Sequence, residues 1–235
     1  NNPGSDPGAG SDPGAGGLLG PYRDVVFSRN LWLIAWFLFA QYGSQVAFQG
    51  LWGIPYISAA YSVDSTLAAQ AVTMIAIGYV ITAPLLGKLS DNMAEHGVNL
   101  FDARHRVLTA TTLVYIVSWL FIVLIPGVLP FKAVYVLMFI MGMSVSSASL
   151  AFVMTGELFP AEVSGLATGL VNIMSILGAS AMPPLIGWFI KHLGTKGLME
   201  GKVYSWALGP CLVAAALSLV LILIVQRPGQ SSHTP

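Results

Sequence analysis

Six long apolar stretches occupy nearly all of the chain after residue 30. They fall at 31–54, 67–87, 107–126, 131–154, 163–190 and 205–226. Crossing the hydrocarbon core of a bilayer, which is ~30 Å thick, takes roughly 20 helical residues, so each stretch is long enough to do so. Little length remains for a soluble domain. The sequence therefore predicts an all-α, polytopic membrane protein with six transmembrane helices.

The composition agrees with this prediction. Of the 235 residues, 55% are hydrophobic and 9% are charged, whereas a soluble domain carries about 25% charged residues. Ten basic residues balance ten acidic ones, and no basic run indicates a nucleic acid partner. The single cysteine excludes an intrachain disulfide.

The chain lacks residue patterns that would indicate catalysis or a cofactor. Its four histidines are too scattered to form a metal site. Methionines 138, 141 and 143 cluster in the fourth stretch, where packing explains them better than soft-metal binding. No Ser-His-Asp set or phosphate loop is present. We expect neither an enzyme nor a cofactor.

The ends of the chain differ from its centre. The unit Ser-Asp-Pro-Gly-Ala-Gly occurs twice within residues 1–20, which predicts a flexible linker. Residues 21–30 read as an interfacial lead-in, 31–228 as the transmembrane bundle and 229–235 as a tail. Without an initiator Met or a signal peptide, we expect a fragment, a processed product or one half of something larger.

The basic residues predict an orientation. With six spans, all five arginines fall on the side of the two termini, while lysines 132, 191, 196 and 202 fall on the other. Cytoplasmic loops carry the excess of basic residues. We therefore expect both termini in the cytoplasm, with the protein in the bacterial inner membrane.

Polar residues inside the spans predict which helices lie innermost. The first span carries Gln41, Gln45 and Gln49 at a spacing of four, and the fourth carries Ser144 and Ser147. Such groups need partners or water within a bilayer. The third span is mostly large and apolar from Leu113 to Ile125, and the sixth has Ser218 as its only hydroxyl from Leu212 to Val225, so both should face lipid. Spans 1 and 4 are thus inner, spans 2 and 5 intermediate and spans 3 and 6 outer. The same order occurs twice along the chain, which is typical of two inverted three-helix repeats.

Two loops resemble those of the major facilitator superfamily. Gly87-Lys88-Leu89-Ser90-Asp91, followed by Arg104-His105-Arg106, resembles the signature loop after the second helix of each half, although the gap before Arg104 is longer. Gly156-Glu157-Leu158-Phe159-Pro160, followed by Gly165 and Gly169, resembles the junction between the fourth and fifth helices. Ser164 stands where the family carries arginine, so a salt bridge expected of Glu157 is missing.

The resemblance implies a carboxy-terminal, six-helix half of a twelve-helix facilitator, because the fifth span carries Gly178, Pro183, Pro184 and Gly187 like the eleventh helix of the family. Such carriers bind a solute between two halves by alternating access. The solute cavity is then assigned to Gln41, Gln45, Gln49, Ser144, Ser147 and Asn172, with Tyr79 and Thr82 as weaker additions. A cytoplasmic latch is assigned to Gly87, Asp91, Arg104, Arg106, Glu157, Pro160 and Gly165. The latch should be intact when the cavity opens outward.

Amide and hydroxyl groups favour a neutral or zwitterionic solute, because no arginine or lysine lies at mid-depth to hold an anion. The partners implied are the lipid bilayer, the small-molecule solute, and a second six-helix half or another membrane subunit. An alternative remains open: the chain could be a non-transporting six-helix subunit that acts as a scaffold in a larger membrane complex.

Overall fold

A computed structural model describes residues 20–194 and 200–227 of the protein. Within these ranges every regular element is a helix. Six helical segments are long and apolar enough to cross a membrane: span 1 (Arg29–Tyr61), span 2 (Ser65–Glu95), span 3 (Leu100–Leu124), span 4 (Phe131–Glu157), span 5 (Ala161–Gly194) and span 6 (Glu200–Ile224). A lead-in helix, Gly20–Val26, precedes them. The expected linker, apart from Gly20, and the tail at 229–235 lie outside the described residues.

Local sequence signals explain where the spans begin. The side chains of Ser28, Asp64 and Asn99 accept hydrogen bonds from backbone N–H groups in the first turns of spans 1, 2 and 3, which satisfies donors that have no partner within the helix. Gly127 has a φ of 73° in the turn before span 4, a conformation that glycine adopts without strain. Polar residues between apolar stretches therefore fix the helix boundaries.

Two helix crossings without side chains between the backbones hold the bundle together. Span 1 crosses span 5 at Gly43 and Gly178, where a β-carbon on Gly43 would lie 2.7 Å from the carbonyl carbon of Gly178. Span 4 crosses span 2 at Gly142 and Gly78, and a β-carbon on Gly142 would collide with the Ile75 carbonyl oxygen. Small residues allow such close approach, on which packing between membrane helices depends.

These crossings match the predicted repeat. Exchanging span 1 for span 4 and span 5 for span 2 converts one glycine crossing into the other. Spans 1 and 4 run in opposite directions through the bundle, because successive spans alternate, so the two three-helix units are inverted with respect to each other.

Burial ranks the spans differently from the sequence expectation in one respect. In their most apolar windows, 67% of the residues of span 1 and 56% of span 4 are buried, so these two are innermost as expected. Spans 2 and 5 have 28% each, less than the 44% of span 3 and the 39% of span 6. The intermediate spans are therefore the least covered by their own chain, and their apolar faces have no neighbour among the described residues.

Both innermost spans depart from regular α-helix at corresponding places. Span 1 widens into a π-helix at Phe48–Trp52, which begins five residues after Gly43. Span 4 tightens at Ser146 and Ser147, four and five residues after Gly142, where backbone bonds join residues three apart. The Trp52 indole N–H donates to the Pro183 carbonyl at 3.0 Å and ties the π-helix to span 5. Irregular turns of this kind occur often at functional sites.

The ends of spans 1, 3 and 6 are tied together on the side of the termini. The Asn30 amide donates to the Gln226 carbonyl at 2.7 Å and accepts from the Gln226 N–H at 3.2 Å. His105 Nε2 lies 2.8 Å from the Ile222 carbonyl oxygen. Because a carbonyl only accepts, Nε2 carries the proton. The Ile222 carbonyl also accepts from the Val225 N–H at 3.2 Å, so the end of span 6 is held both by its own backbone and by spans 1 and 3.

Candidate functional site

Polar groups gather in two places: a mid-depth set on spans 1 and 4, and a charged set on the side of the termini, where spans 2 and 4 end and span 3 begins. In the mid-depth set, Gln41 has an exposed fraction of 0% and Gln45 of 4%, while Gln49 is half-buried. Gln45 Nε2 donates to Gln49 Oε1 at 2.8 Å. The three amides therefore form a series that runs from the interior of the bundle towards a half-buried position.

The Gln41 amide has no hydrogen-bond partner among the described residues, for either its oxygen or its nitrogen, and neither has the Gln45 oxygen. A buried polar group without a partner costs about 1–3 kcal/mol. Two neighbouring polar groups do have hydrogen-bond partners. The Tyr115 hydroxyl of span 3 lies 2.9 Å from the Ser44 hydroxyl and 3.3 Å from the Gln41 backbone carbonyl oxygen. Unpartnered amides thus lie close to paired groups, and the indole N–H of Trp119, which packs on Tyr115, is likewise buried without a partner among the described residues.

The predicted serines of span 4 are bonded to their own helix. Ser144 donates to the Ile140 carbonyl at 2.9 Å and Ser147 donates to the Ser144 carbonyl at 2.7 Å. Both serines are buried. Their oxygens keep lone pairs that can accept a further hydrogen bond.

The remaining predicted cavity residues lie on spans 2 and 5. Asn172 is exposed on span 5, and Tyr79 is exposed on span 2. Thr82 is buried and lines a small cavity of about 140 Å³ together with Ser144. The structure thus brings Thr82 and Ser144 together, keeps the three glutamines together on span 1, and places Asn172 on an open face.

Another cavity, of about 710 Å³, lies between spans 1, 5 and 6. Its walls are almost entirely apolar and include Trp36, Phe39, Met182, Phe189 and Trp206. None of the predicted cavity residues lines it, and its chemistry does not suit a polar solute.

The charged set is centred on Arg104. Arg104 Nη1 pairs with Glu157 Oε2, and Nη2 lies 3.7 Å from Asp91 Oδ1. The Arg104 side chain is 11% exposed, whereas those of Asp91 and Glu157 are 60% and 45% exposed. One guanidinium on span 3 therefore joins the end of span 4 to the last turns of span 2.

Helix dipoles explain why these charges require one another. Glu157 ends span 4, where the partial negative charge of the helix disfavours an acid, and Arg104 lies near the start of span 3, where a cation is disfavoured. Each charge offsets the other. Glu157 is therefore paired despite the serine at position 164, because Arg104 takes the place of the arginine that the motif lacks.

The other predicted latch residues have different surroundings. Arg106 is exposed and belongs to none of the ion pairs seen among the described residues. The Pro160 carbonyl accepts from the Ser164 N–H at 3.0 Å and so starts span 5. A β-carbon on Gly87 or Gly165 would meet no described atom within 4 Å. Both glycines therefore lie beside open space.

Sequence reasoning missed several residues that organise the site. Gly178 was noted only for its resemblance to the family, and Gly43, Gly78 and Gly142 were not singled out, although their shared mid-span position was a usable signal. The Tyr115 contact to Ser44 and the Trp52 contact to Pro183 left no such signal, because each joins helices far apart in sequence.

Comparison with known proteins gives one positive result. The sequence profile of the Major Facilitator Superfamily matches residues 31–235, which covers span 1 from its third residue, the other five spans and both charged loops. No curated protein matches the chain.

Proposed function

Because this chain belongs to the Major Facilitator Superfamily, a family of membrane transporters, we propose that it carries a small neutral or zwitterionic solute by alternating access as one half of a carrier. The observation that carries this proposal is the low burial of spans 2 and 5. They are the least buried spans, yet they expose large apolar side chains such as Val80 and Ile176. A second six-helix body would cover these faces and close a cavity between the two bodies.

The mid-depth amides support the choice of solute. Gln41 and Gln45 keep unpartnered polar atoms, and Gln49 and Asn172 lie closer to the open faces. Amides both donate and accept, so they suit hydroxyl, amide or paired ammonium and carboxylate groups. No lysine, arginine, aspartate or glutamate lies among them, so an anion would find no counter-charge here.

The charged set supports a conformational role. Arg104 holds the ends of spans 2, 3 and 4 together, and Asp91 remains 60% exposed on its outer side. In our proposal Asp91 also faces the start of a fifth span in the second half, where helix N–H groups favour an anion. This contact forms when the cavity opens away from the termini and breaks when it opens towards them.

The decisive experiment is uptake of labelled neutral, zwitterionic and anionic solutes into vesicles that contain the complete assembly. We expect uptake of a neutral or zwitterionic solute, and its loss in Gln45→Ala and Asp91→Asn variants that still insert. The matched controls are Gln70→Ala, an exposed glutamine that contacts Tyr135 at 3.4 Å, and Asp102→Asn. Absence of uptake for every solute, with a stoichiometric set of catalytic subunits in the purified material, would refute the transport proposal.

A further inference from the structure

A groove opens between spans 3 and 6 at the end of the bundle where both termini lie. It has a volume of about 340 Å³ and is lined by His105, Arg106, Thr109, Ala110, Leu113 and Leu223. Ala110 and Leu113 follow Arg106 by four and seven residues, on the same helix face. At 1.5 Å per residue they lie ~6 and ~10 Å deeper along the helix. The groove is therefore basic at its mouth and apolar below.

Arg106 supplies the charge at the mouth. Among the described residues Arg104 pairs with Asp91 and Glu157, and Arg227 lies 3.8 Å from Asp102, but Arg106 takes part in no such pair. The neighbouring polar groups are already engaged, since Thr109 donates to the His105 carbonyl at 2.8 Å and His105 contacts the Ile222 carbonyl. The guanidinium of Arg106 is thus the free donor of the groove.

The apolar part of the groove lies on the outer surface of the bundle. Leu113 is 48% exposed and Leu223 is 56% exposed, and no other described element covers them. In a membrane-spanning bundle, side chains that face outward at this depth contact lipid. The chain belongs to a membrane transporter family and has six apolar spans, so this groove faces a bilayer. Its occupant must present an anionic group to Arg106 near the surface and hydrocarbon to the apolar residues beneath it.

We propose that this groove binds one anionic phospholipid from the leaflet on the side of the termini. Its phosphate group is held by Arg106, whose planar donors match phosphate geometry, and one acyl chain lies along Ala110, Leu113 and Leu223. The proposal requires that the bundle sits in a bilayer but does not require transport, so it can fail or succeed independently of the proposed function.

The test is lipid retention by the purified full chain. The protein is equilibrated with equal amounts of phosphatidylglycerol and phosphatidylcholine in detergent, and the lipids that remain after washing are counted by native mass spectrometry. We expect a preference for phosphatidylglycerol that falls about fivefold in Arg106→Gln, equivalent to about 1 kcal/mol per basic residue at the surface. Arg106→Lys, which keeps the charge, should retain most of it. Ala110→Phe, which fills the apolar part, should reduce retention of both lipids.

Three outcomes would overturn the proposal. The first is an unchanged preference in Arg106→Gln. The second is an equal loss in Arg29→Gln, an exposed arginine at the start of span 1, since that would indicate a diffuse surface charge rather than a site. The third is displacement of phosphatidylglycerol by inorganic phosphate at an equal concentration, which would show that the acyl chain adds no affinity. Thermal melts of each variant in detergent establish that the fold is retained.

Discussion

At the scale of single residues, the protein contains two kinds of polar group that a bilayer would normally exclude. Arg104 is buried at the edge of the bundle but paired with two carboxylates, so its charge is compensated. Gln41 is buried with both ends of its amide unpartnered, so its polarity is not. The ion pairs of Arg104 explain its burial by their contribution to stability. No such contact explains the burial of the Gln41 amide, which is why we propose that Gln41 belongs to the solute cavity.

Replacing Gln41 with leucine separates stability from function. An apolar side chain of similar size removes buried polar atoms that have no partner, so we expect the free energy of unfolding to stay equal or rise by about 1 kcal/mol. Uptake should nevertheless be lost. The measurement is a denaturant titration in detergent beside a vesicle uptake assay. A clear loss of stability would mean that the amide serves a structural hydrogen bond, and the cavity assignment would then be wrong.

Arg104→Gln should weaken the bundle. The change leaves Glu157 at the end of span 4 without its counter-charge, and removing the buried partner of an ion pair is costly. Because both carboxylates are partly exposed, we expect a loss of about 2 kcal/mol rather than the value for a fully buried pair. Arg227→Gln, which removes an exposed pair with Asp102, should cost no more than about 0.5 kcal/mol. Equal thermal shifts for the two variants would contradict the central role of Arg104.

The sequence named the acidic and basic residues of the proposed latch but not which of them pair. Asp91, Arg104, Arg106 and Glu157 were all candidates, and the rotation of span 3 about its own axis decides that Arg104 rather than Arg106 lies between the acids. Adjacent positions on span 3 differ by about 100° around the helix axis, and positions two apart by about 200°. Arg104 and Arg106 thus point to opposite sides, one into the bundle and one outward.

At the scale of helices, the two glycine crossings set the geometry of the bundle. Spans 1 and 5 meet at Gly43 and Gly178, and spans 4 and 2 meet at Gly142 and Gly78. The apolar pattern predicted six helices because hydropathy reports the bilayer. It could not predict these contacts or the π-helix at Phe48–Trp52, since both arise from packing between helices rather than from composition.

Glycine-to-alanine changes should distinguish crossing glycines from exposed ones. Gly142→Ala places a methyl group against the Ile75 backbone, and we expect a loss of about 3 kcal/mol or more because backbone cannot yield as a side chain does. Gly169→Ala meets nothing within 4 Å, so improved helix propensity should leave stability equal or raise it by up to about 1 kcal/mol. Thermal melts in detergent measure both. Equal destabilisation would mean that the crossing is not close.

At the scale of the whole molecule, the main feature is the low burial of spans 2 and 5 compared with spans 3 and 6. The sequence correctly predicted spans 1 and 4 as the innermost helices but wrongly placed spans 2 and 5 between inner and outer positions. Polarity alone cannot separate a face that meets lipid from one that meets another apolar protein surface, because both are equally apolar.

Cysteine labelling can identify the covered face. The only cysteine is buried, so a Cys211→Ser background should accept single cysteines at Val80 or Ile176 on spans 2 and 5, and at Val117 or Val213 on spans 3 and 6. We expect the first two to be labelled by a membrane-permeant maleimide in the isolated chain and protected in the assembled carrier. The second two should react equally in both states. Protection of Val117 or Val213 instead would place the partner on the opposite face.

The hydrogen bonds between Asn30 and Gln226 have a practical consequence for engineering. They place the beginning and the end of the folded bundle at one corner, on one side of the bilayer. A reporter protein or a tether joined directly beside Asn30 or Gln226 would start from the same point, so it could be moved between these two ends of the bundle with little change in reach. Joining the ends and reopening the chain between spans 2 and 3, on that same side, would also keep every helix in its original direction.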